Sequence, residues 1–311
     1  MAKVMHSLRE LQPAVRFAIP ELDALLPAGL NANILELISP PPAHHPSAAG
    51  KTSLLYLIIA QAILPPTSFS PPVALGGQHT AVVLFDPLNH FHVPRLASVA
   101  IHLLYTRLSE AGIPIDRSTE SQLKQLLRES LCHLHIFRPP SWSTLLATLR
   151  SLPAYLLDPA RHQTLHRCVH SIILEDTDAY VSSIRNAGSG VADNGNSLSA
   201  ASTQLTTHVQ KLATLLSCAV ILTSYSVAPS LVRPTLPASW PQGSLVTRLA
   251  LRRVEMARFA PTVGIEEAES ERQQHWEMVR QRPYVCRKVD IGAKGGEGFS
   301  FRVGTGVEIE G

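Results

Sequence analysis

The feature that most constrains this chain is a strand, a loop and a helix in immediate succession near residue 50. Residues 33–38 (NILELI) form a short unbroken apolar run of the kind that becomes a buried strand. Residues 50–64 carry apolar side chains around most of a helical circumference, which predicts a buried helix. Between them lies His45-Pro-Ser-Ala-Ala-Gly50-Lys51-Thr52. A strand that turns through Gly-Lys-Thr into a helix is suited to holding phosphate. Its backbone N–H groups wrap the oxygens, the lysine neutralises them, and the hydroxyl holds Mg²⁺. The helix N-terminus adds a favourable partial charge. The expected cradle is Ala48, Ala49, Gly50, Lys51, Thr52 and Ser53. The first glycine of the usual G-x-x-x-x-G-K-T pattern is replaced by His45, and a Pro-Pro-Pro-Ala-His-His stretch lengthens the loop. The plain alternative is a helix start preceded by a solvated proline insert.

Further strands are expected at 80–85 (TAVVLF), 131–137, 169–174 (VHSIIL), 218–223 (CAVILT) and 245–253. Helices are expected at 94–111, 143–157 and 203–216, with a charged surface helix at 264–282. Residues 299–308 resemble a closing hairpin, with Gly304 and Gly306 near its turn. Strands alternating with helices predict an α/β fold, a mainly parallel sheet with helices on both faces. The expected organisation is one domain over 1–311, with flexible insertions near 40–47, 65–79, 186–202 and 228–243, where Pro, Gly and Ser concentrate.

Asp86, Glu175 and Asp176 each follow an apolar run, which places them at the carboxyl edge of such a sheet, where ligands bind. In P-loop enzymes one such acid holds Mg²⁺ through water and another activates the attacking water. Ser171-Ile-Ile-Leu-Glu175-Asp176 fits the apolar-run-then-acid pattern of a Walker B strand, and the two adjacent acids leave the register open. Glu175 and Asp176 are the candidate catalytic residues and, with Thr52, the candidate Mg²⁺ residues. Strand-terminating acids in solvent are the alternative.

Composition narrows the partners. Lys and Arg number 27 against 24 Asp and Glu, a net charge of +3. That is too mild to argue for nucleic acid by itself. The four cysteines form no C-x-x-C pair and no zinc spacing, so reduced structural thiols are expected. No apolar run approaches the length of about 20 residues that spans a bilayer. No signal peptide is recognisable at the start. His162, His166 and His170 are spaced by four, and His133 and His135 share a strand face. With no acid or thiol beside them, structural histidines are expected rather than a metal site.

Several stretches carry a resemblance. FAIPELDALLPAGLNANILELIS resembles the lead-in phrase of RecA-type recombinases. LFDPLNHFHVPRL is similar to their "I-D-T-E-x-x-F-x-x-x-R-L" segment, with Asp86, Phe91, Arg95 and Leu96 on matching positions. LVTRLALRR and FSFRVGTGV are similar to their late strands. HIFRPPSWSTLLATLRSLPAYLL and SIILEDTDAYVSSIR point towards the family's paralogues, whose chains begin almost directly at the ATPase core. The resemblance spans residues 15–308. It implies a RecA-like P-loop NTPase core with a C-terminal antiparallel extension, and ATP and Mg²⁺ as cofactors. In that register Lys51 and Thr52 meet phosphate and Mg²⁺, Arg95 packs on the adenine, and Glu175, with Asp176, holds the metal water.

The implied role is homologous-recombination DNA repair in the nucleus. The implied partners are other recombinase paralogues in a hetero-oligomer, and DNA reached through that complex by loops near 181–202 and 225–244. Those loops carry few cations, Arg185 and Arg233, with Asp193 beside them, so autonomous DNA binding is expected to be weak. Arg248, Arg252, Arg253 and Arg258 form the densest basic cluster, and a solvated surface is the preferred reading of it. Leu88 stands where the family carries its catalytic glutamate. Leucine cannot orient or deprotonate water, so ATP binding is expected with weak or absent hydrolysis. Two rivals stand beside this. One is a non-catalytic RecA-fold scaffold in an assembly that supports tRNA modification. The other is an active P-loop kinase or ATPase.

Overall fold

β1 (Ile34–Ser39) is buried along its full length and lies near the middle of the main sheet. The computed structural model describes residues 16–27, 34–41, 49–187, 194–228, 231–254, 283–289 and 297–310. The sheet continues through β2 (Ala81–Phe85), β3 (Leu134–Phe137), β4 (Val169–Leu174), β5 (Ala219–Ala228) and β6 (Leu231–Pro234). It is completed by β7 (Val246–Arg253), β8 (Tyr284–Lys288), β9 (Gly298–Val303) and β10 (Val307–Glu310). Among the described residues the order is β10-β9-β8-β7-β1-β5-β4-β2-β3, with β6 beside β5. From β7 to β3 every pairing is parallel. β8, β9 and β10 extend the sheet antiparallel. The chain is therefore α/β, with a mostly parallel central sheet and antiparallel C-terminal strands.

Helices cover both faces, which is why the central strands read as continuous apolar runs. α1 (Lys51–Ile63) is buried around nearly its whole circumference. With α2 (Val93–Glu110) and α3 (Arg117–Leu131) it packs on Leu35, Leu37, Val82, Leu84 and Ile221. α4 (Trp142–Leu156), α5 (Val181–Ala187) and α6 (Asn194–Leu216) pack on the other face, over Ile34, Val83, Phe85, Ile172 and Val220.

Several elements differ from the sequence expectation. α3 was not foreseen, because its surface is polar and only Leu123, Leu127 and Ser130 are buried. Asp116 caps it by accepting the N–H of Thr119. Leu131 therefore ends a helix, and the strand expected from that residue begins at Leu134. Residues 194–202, expected as loop, open α6. At their C-terminal end Ala201 is buried in the core, and Ser202 Oγ accepts the N–H of Ala238 at 2.9 Å. Residues 65–79 contain a two-residue-per-strand hairpin, Thr67–Ser68 against Val73–Ala74, that tucks Val73 and Leu75 into the core. Within the expected loop at 228–243, Leu231–Pro234 pairs with β5. β8 was also unforeseen. The helix expected at 264–282, and His45, Ala48, Asp193 and Arg258, lie outside the described residues.

Candidate functional site

The carboxyl ends of β1, β2, β4 and β5 meet where α1 begins. Gly50 precedes α1 in the left-handed region, at φ 85°. A Cβ there would stand 2.7 Å from the Tyr284 ring and 2.9 Å from that of Phe301, so only glycine fits. Lys51 Nζ donates to Ser39 Oγ at 2.7 Å and to the Ser224 carbonyl at 2.8 Å. It also stands 3.7 Å above the Tyr225 ring. β1 and β5 are paired with Ser39 opposite Tyr225, and that register brings these groups to one ammonium. Burial lowers the Lys51 pKa to about 8, opposed by the nearby carboxylates of Asp178, Asp176 and Glu175.

Thr52 Oγ1 donates to Glu175 Oε1 at 2.6 Å. The other oxygen, Glu175 Oε2, is buried without a hydrogen-bond partner. Burial raises the Glu175 carboxyl to about 7; the Thr52 bond opposes the shift, and Asp176 and Asp86 add to it. Asp176 follows directly, with φ 48°. Its carboxylate meets His90 Nδ1 at 2.7 Å, and its backbone N–H donates to Thr223 Oγ1. Asp86 is fully buried. It accepts the backbone N–H groups of His90 and Phe91 and faces Arg138 Nε at 3.6 Å, so it folds the loop that carries Leu88. Leu88 itself is exposed.

Thus Lys51, Thr52, Glu175 and Asp176 are brought together as the strand ends predicted, with Ala49 and Ser53 on either side of Gly50 and Lys51-Thr52. Arg95, in the first turns of α2, is engaged elsewhere. Its guanidinium donates to the carbonyls of Thr305 (2.9 Å), Gly304 (2.8 Å) and Gly306 (3.4 Å), in the turn between β9 and β10. Sequence reasoning missed Ser39, Tyr225, Asp178 and His90. Ser39 and Tyr225 had a usable signal, since each sits at the end of an apolar run on the same sheet edge. His90 had none.

The expected basic cluster is divided. Arg248 Nε donates to the buried Glu36 at 2.6 Å, while Arg253 lies on the opposite face, 5.3 Å from the Tyr284 ring. Of the histidines singled out, His166 is exposed, and the other four form polar contacts inside the fold. His133 and His135 both meet Thr164 Oγ1, His162 meets the Tyr155 carbonyl, and His170 meets Ser171 and the Arg16 carbonyl. Among the described residues no three His, Cys, Asp or Glu side chains converge closely enough to hold a metal ion by themselves. No described helix is long and apolar enough to cross a membrane.

Whether the residues present suit Mg²⁺ and a nucleotide triphosphate can be judged from the orphaned Glu175 oxygen. A buried carboxylate with one free oxygen, bonded through the other to a hydroxyl, fits a hydrated Mg²⁺, which takes one or two protein groups and fills the rest with water and phosphate. Fold and site together define an α/β protein with a glycine-lysine-threonine loop between its central strand and a buried helix, and with carboxylates on the adjoining strand ends. No family model matches the chain, and no curated protein matches it.

Proposed function

We propose that the chain is a RecA-like recombinase paralogue that binds Mg²⁺–ATP with weak or absent hydrolysis. In this reading it acts in homologous-recombination DNA repair, in the nucleus, as a subunit of a paralogue hetero-oligomer that contacts DNA as a complex. Within that family its stretches are most similar to the type named for X-ray-repair cross-complementing group two. The observation that carries the nucleotide reading is the Thr52–Glu175 pair, with one carboxylate oxygen left over, directly after Gly50 and Lys51. Bound Mg²⁺–ATP would supply a triphosphate whose charge must be neutralised. Lys51 would exchange the Ser224 carbonyl for phosphate oxygens, Thr52 would face the metal, and Glu175, with Asp176, would hold its water. Leu88 offers no group to orient an attacking water, which supports slow turnover.

The test is equilibrium binding of Mg²⁺–ATP to the whole chain and to its expected co-subunits. Binding is expected in the wild type and loss of it in Lys51→Ala. Co-purification with recombinase paralogues, and sensitivity of deletion cells to cross-linking agents, test the repair role. Normal survival after cross-linking would remove it. One observation favours the scaffold reading: Lys51 is already seated on Ser39, Ser224 and Tyr225. No ATP binding, together with defective wobble-uridine modification and intact repair, would select that reading.

A further inference from the structure

The Lys51 ammonium has three hydrogens to donate, and its surroundings leave none of them open. Ser39 Oγ accepts one at 2.7 Å and the Ser224 carbonyl another at 2.8 Å. The remaining side is closed by the Tyr225 ring, whose centroid lies 3.7 Å from Nζ. Lys51 as a whole is only 7% exposed. A phosphate oxygen can therefore reach this ammonium only by displacing one of the three.

The three differ in how easily they leave. Ser39 ends β1, and Ser224 lies within β5, opposite Ile38 in the parallel register. The backbone around Ser224 is held on both sides. Thr223 Oγ1 accepts the Asp176 N–H, the Thr223 carbonyl accepts from Thr177 Oγ1, and Asp178 Oδ2 accepts the Tyr225 N–H. The Tyr225 side chain has no such restraint. It is half-buried. Among the described residues its hydroxyl has no hydrogen-bond partner and its ring no aromatic neighbour. Its directional contact is with the ammonium, and a change of χ1 rotamer takes the ring off the lysine.

We propose that the Tyr225 ring is an autoinhibitory latch on the phosphate loop: it competes with phosphate for the Lys51 ammonium and must swing away before a phosphate group can take its place. Such a competitor is built into the chain, so every phosphate ligand binds more weakly than its own contacts would give. Apparent affinity is the intrinsic affinity scaled by the fraction of molecules with the ring displaced. A cation–ring contact shielded from water is strong enough to hold that fraction at about a tenth. The latch acts on charge and not on a base, so it weakens inorganic polyphosphate and nucleotide alike. The inference rests on the Mg²⁺–ATP reading above and adds a regulation of that site.

The experiment is isothermal titration of the whole chain with Mg²⁺ and either ATP or inorganic tripolyphosphate. Tyr225→Ala is expected to bind both about tenfold more tightly than the wild type. Tyr225→Phe keeps the ring face and is expected to stay close to the wild type. A second readout needs no nucleotide: acetylation of the Lys51 amine by acetic anhydride, followed by peptide mass spectrometry. It is expected to be faster in Tyr225→Ala and unchanged in Tyr225→Phe. If Tyr225→Ala does not unfold cooperatively, Tyr225→Met, which also lacks the ring, carries both measurements. Equal or weaker polyphosphate binding in the ring-less variant, or unchanged Lys51 acetylation, overturns the latch while leaving nucleotide binding intact. If neither the wild type nor the ring-less variant binds ATP or tripolyphosphate, the nucleotide reading itself is overturned.

Discussion

Lys51 carries its ammonium into a nearly closed space at the end of β5, where a carbonyl, a hydroxyl and an aromatic face stand in for water. Its lowered pKa, about 8, means that the folded state disfavours the charged form. The stability tied to a base depressed in this way is fully present above the unfolded value near 10.5 and is lost as pH falls through 8. Lys51→Met is therefore expected to unfold at a higher temperature than the wild type at pH 7, while losing ATP binding. The gap should narrow as pH rises towards 10. Thermal unfolding followed by circular dichroism at the two pH values checks this; a gap independent of pH would contradict it. The buried His170 follows the same sign. Burial lowers His170 to about 4, from 6.5, so its contribution is complete above pH 6.5 and drains away as pH falls towards 4. Its Nε2 meets the Arg16 carbonyl, a contact that a glutamine amide can reproduce. His170→Gln should therefore lose less stability than the wild type between pH 6.5 and 4.5, read as the difference in urea midpoints.

Among the elements, the junction of β1 and α1 depends on one backbone conformation. Gly50 has φ 85°, and its missing side chain is the space that Tyr284 and Phe301 occupy. Gly50→Ala is expected to cost about 1–2 kcal/mol from the left-handed conformation alone, with the ring clash in addition. Tyr284→Ala in the same chain should relieve only the second part. A double-mutant cycle by urea denaturation separates them. α4 starts on a more ordinary device: Ser141 Oγ accepts the Thr144 N–H at 3.2 Å. Ser141→Ala should cost about 1 kcal/mol. The elements that could be read from sequence are those with one unambiguous pattern. The strands Ile34–Ser39 and Ala81–Phe85 are buried on both faces, as is Val169–Leu174 apart from half-buried Val169, so no alternation confuses them. α3 and β8 escaped because their patterns are weak over short lengths. Three buried residues in a polar helix, and one fully buried residue, Cys286, in a five-residue strand, do not stand out from loop. The first turns of α6 escaped because Gly, Asn and Ser suggest loop wherever their burial is unknown.

For the molecule as a whole, the antiparallel C-terminal strands are part of the main core. Phe299, Phe301 and Val307 share one cluster with Leu35 and Leu37 of β1 and with the buried face of α1. Removing residues 297–311 is therefore expected to abolish cooperative unfolding, seen as loss of a sharp calorimetric transition. A truncated chain with a normal transition would show that β9 and β10 are an accessory edge. The same arrangement sets the site. Lys51 meets Ser224 across 173 residues of sequence, Thr52 meets Glu175 across 123, and Arg95 meets Gly304 across 209.

By itself the sequence determined the strand–loop–helix unit around Gly50, the α/β alternation, and acids at the ends of β2 and β4. Each follows from periodicity and burial within a few neighbouring residues. Tertiary structure alone decided that β5 lies between β1 and β4, which sends Lys51 to Ser224 and Tyr225. It also decided that Asp176 turns to His90, and that Arg95 closes on the last turn of the chain. Those pairings depend on strand order and crossover paths, and local patterns carry no record of which distant strand ends will be neighbours.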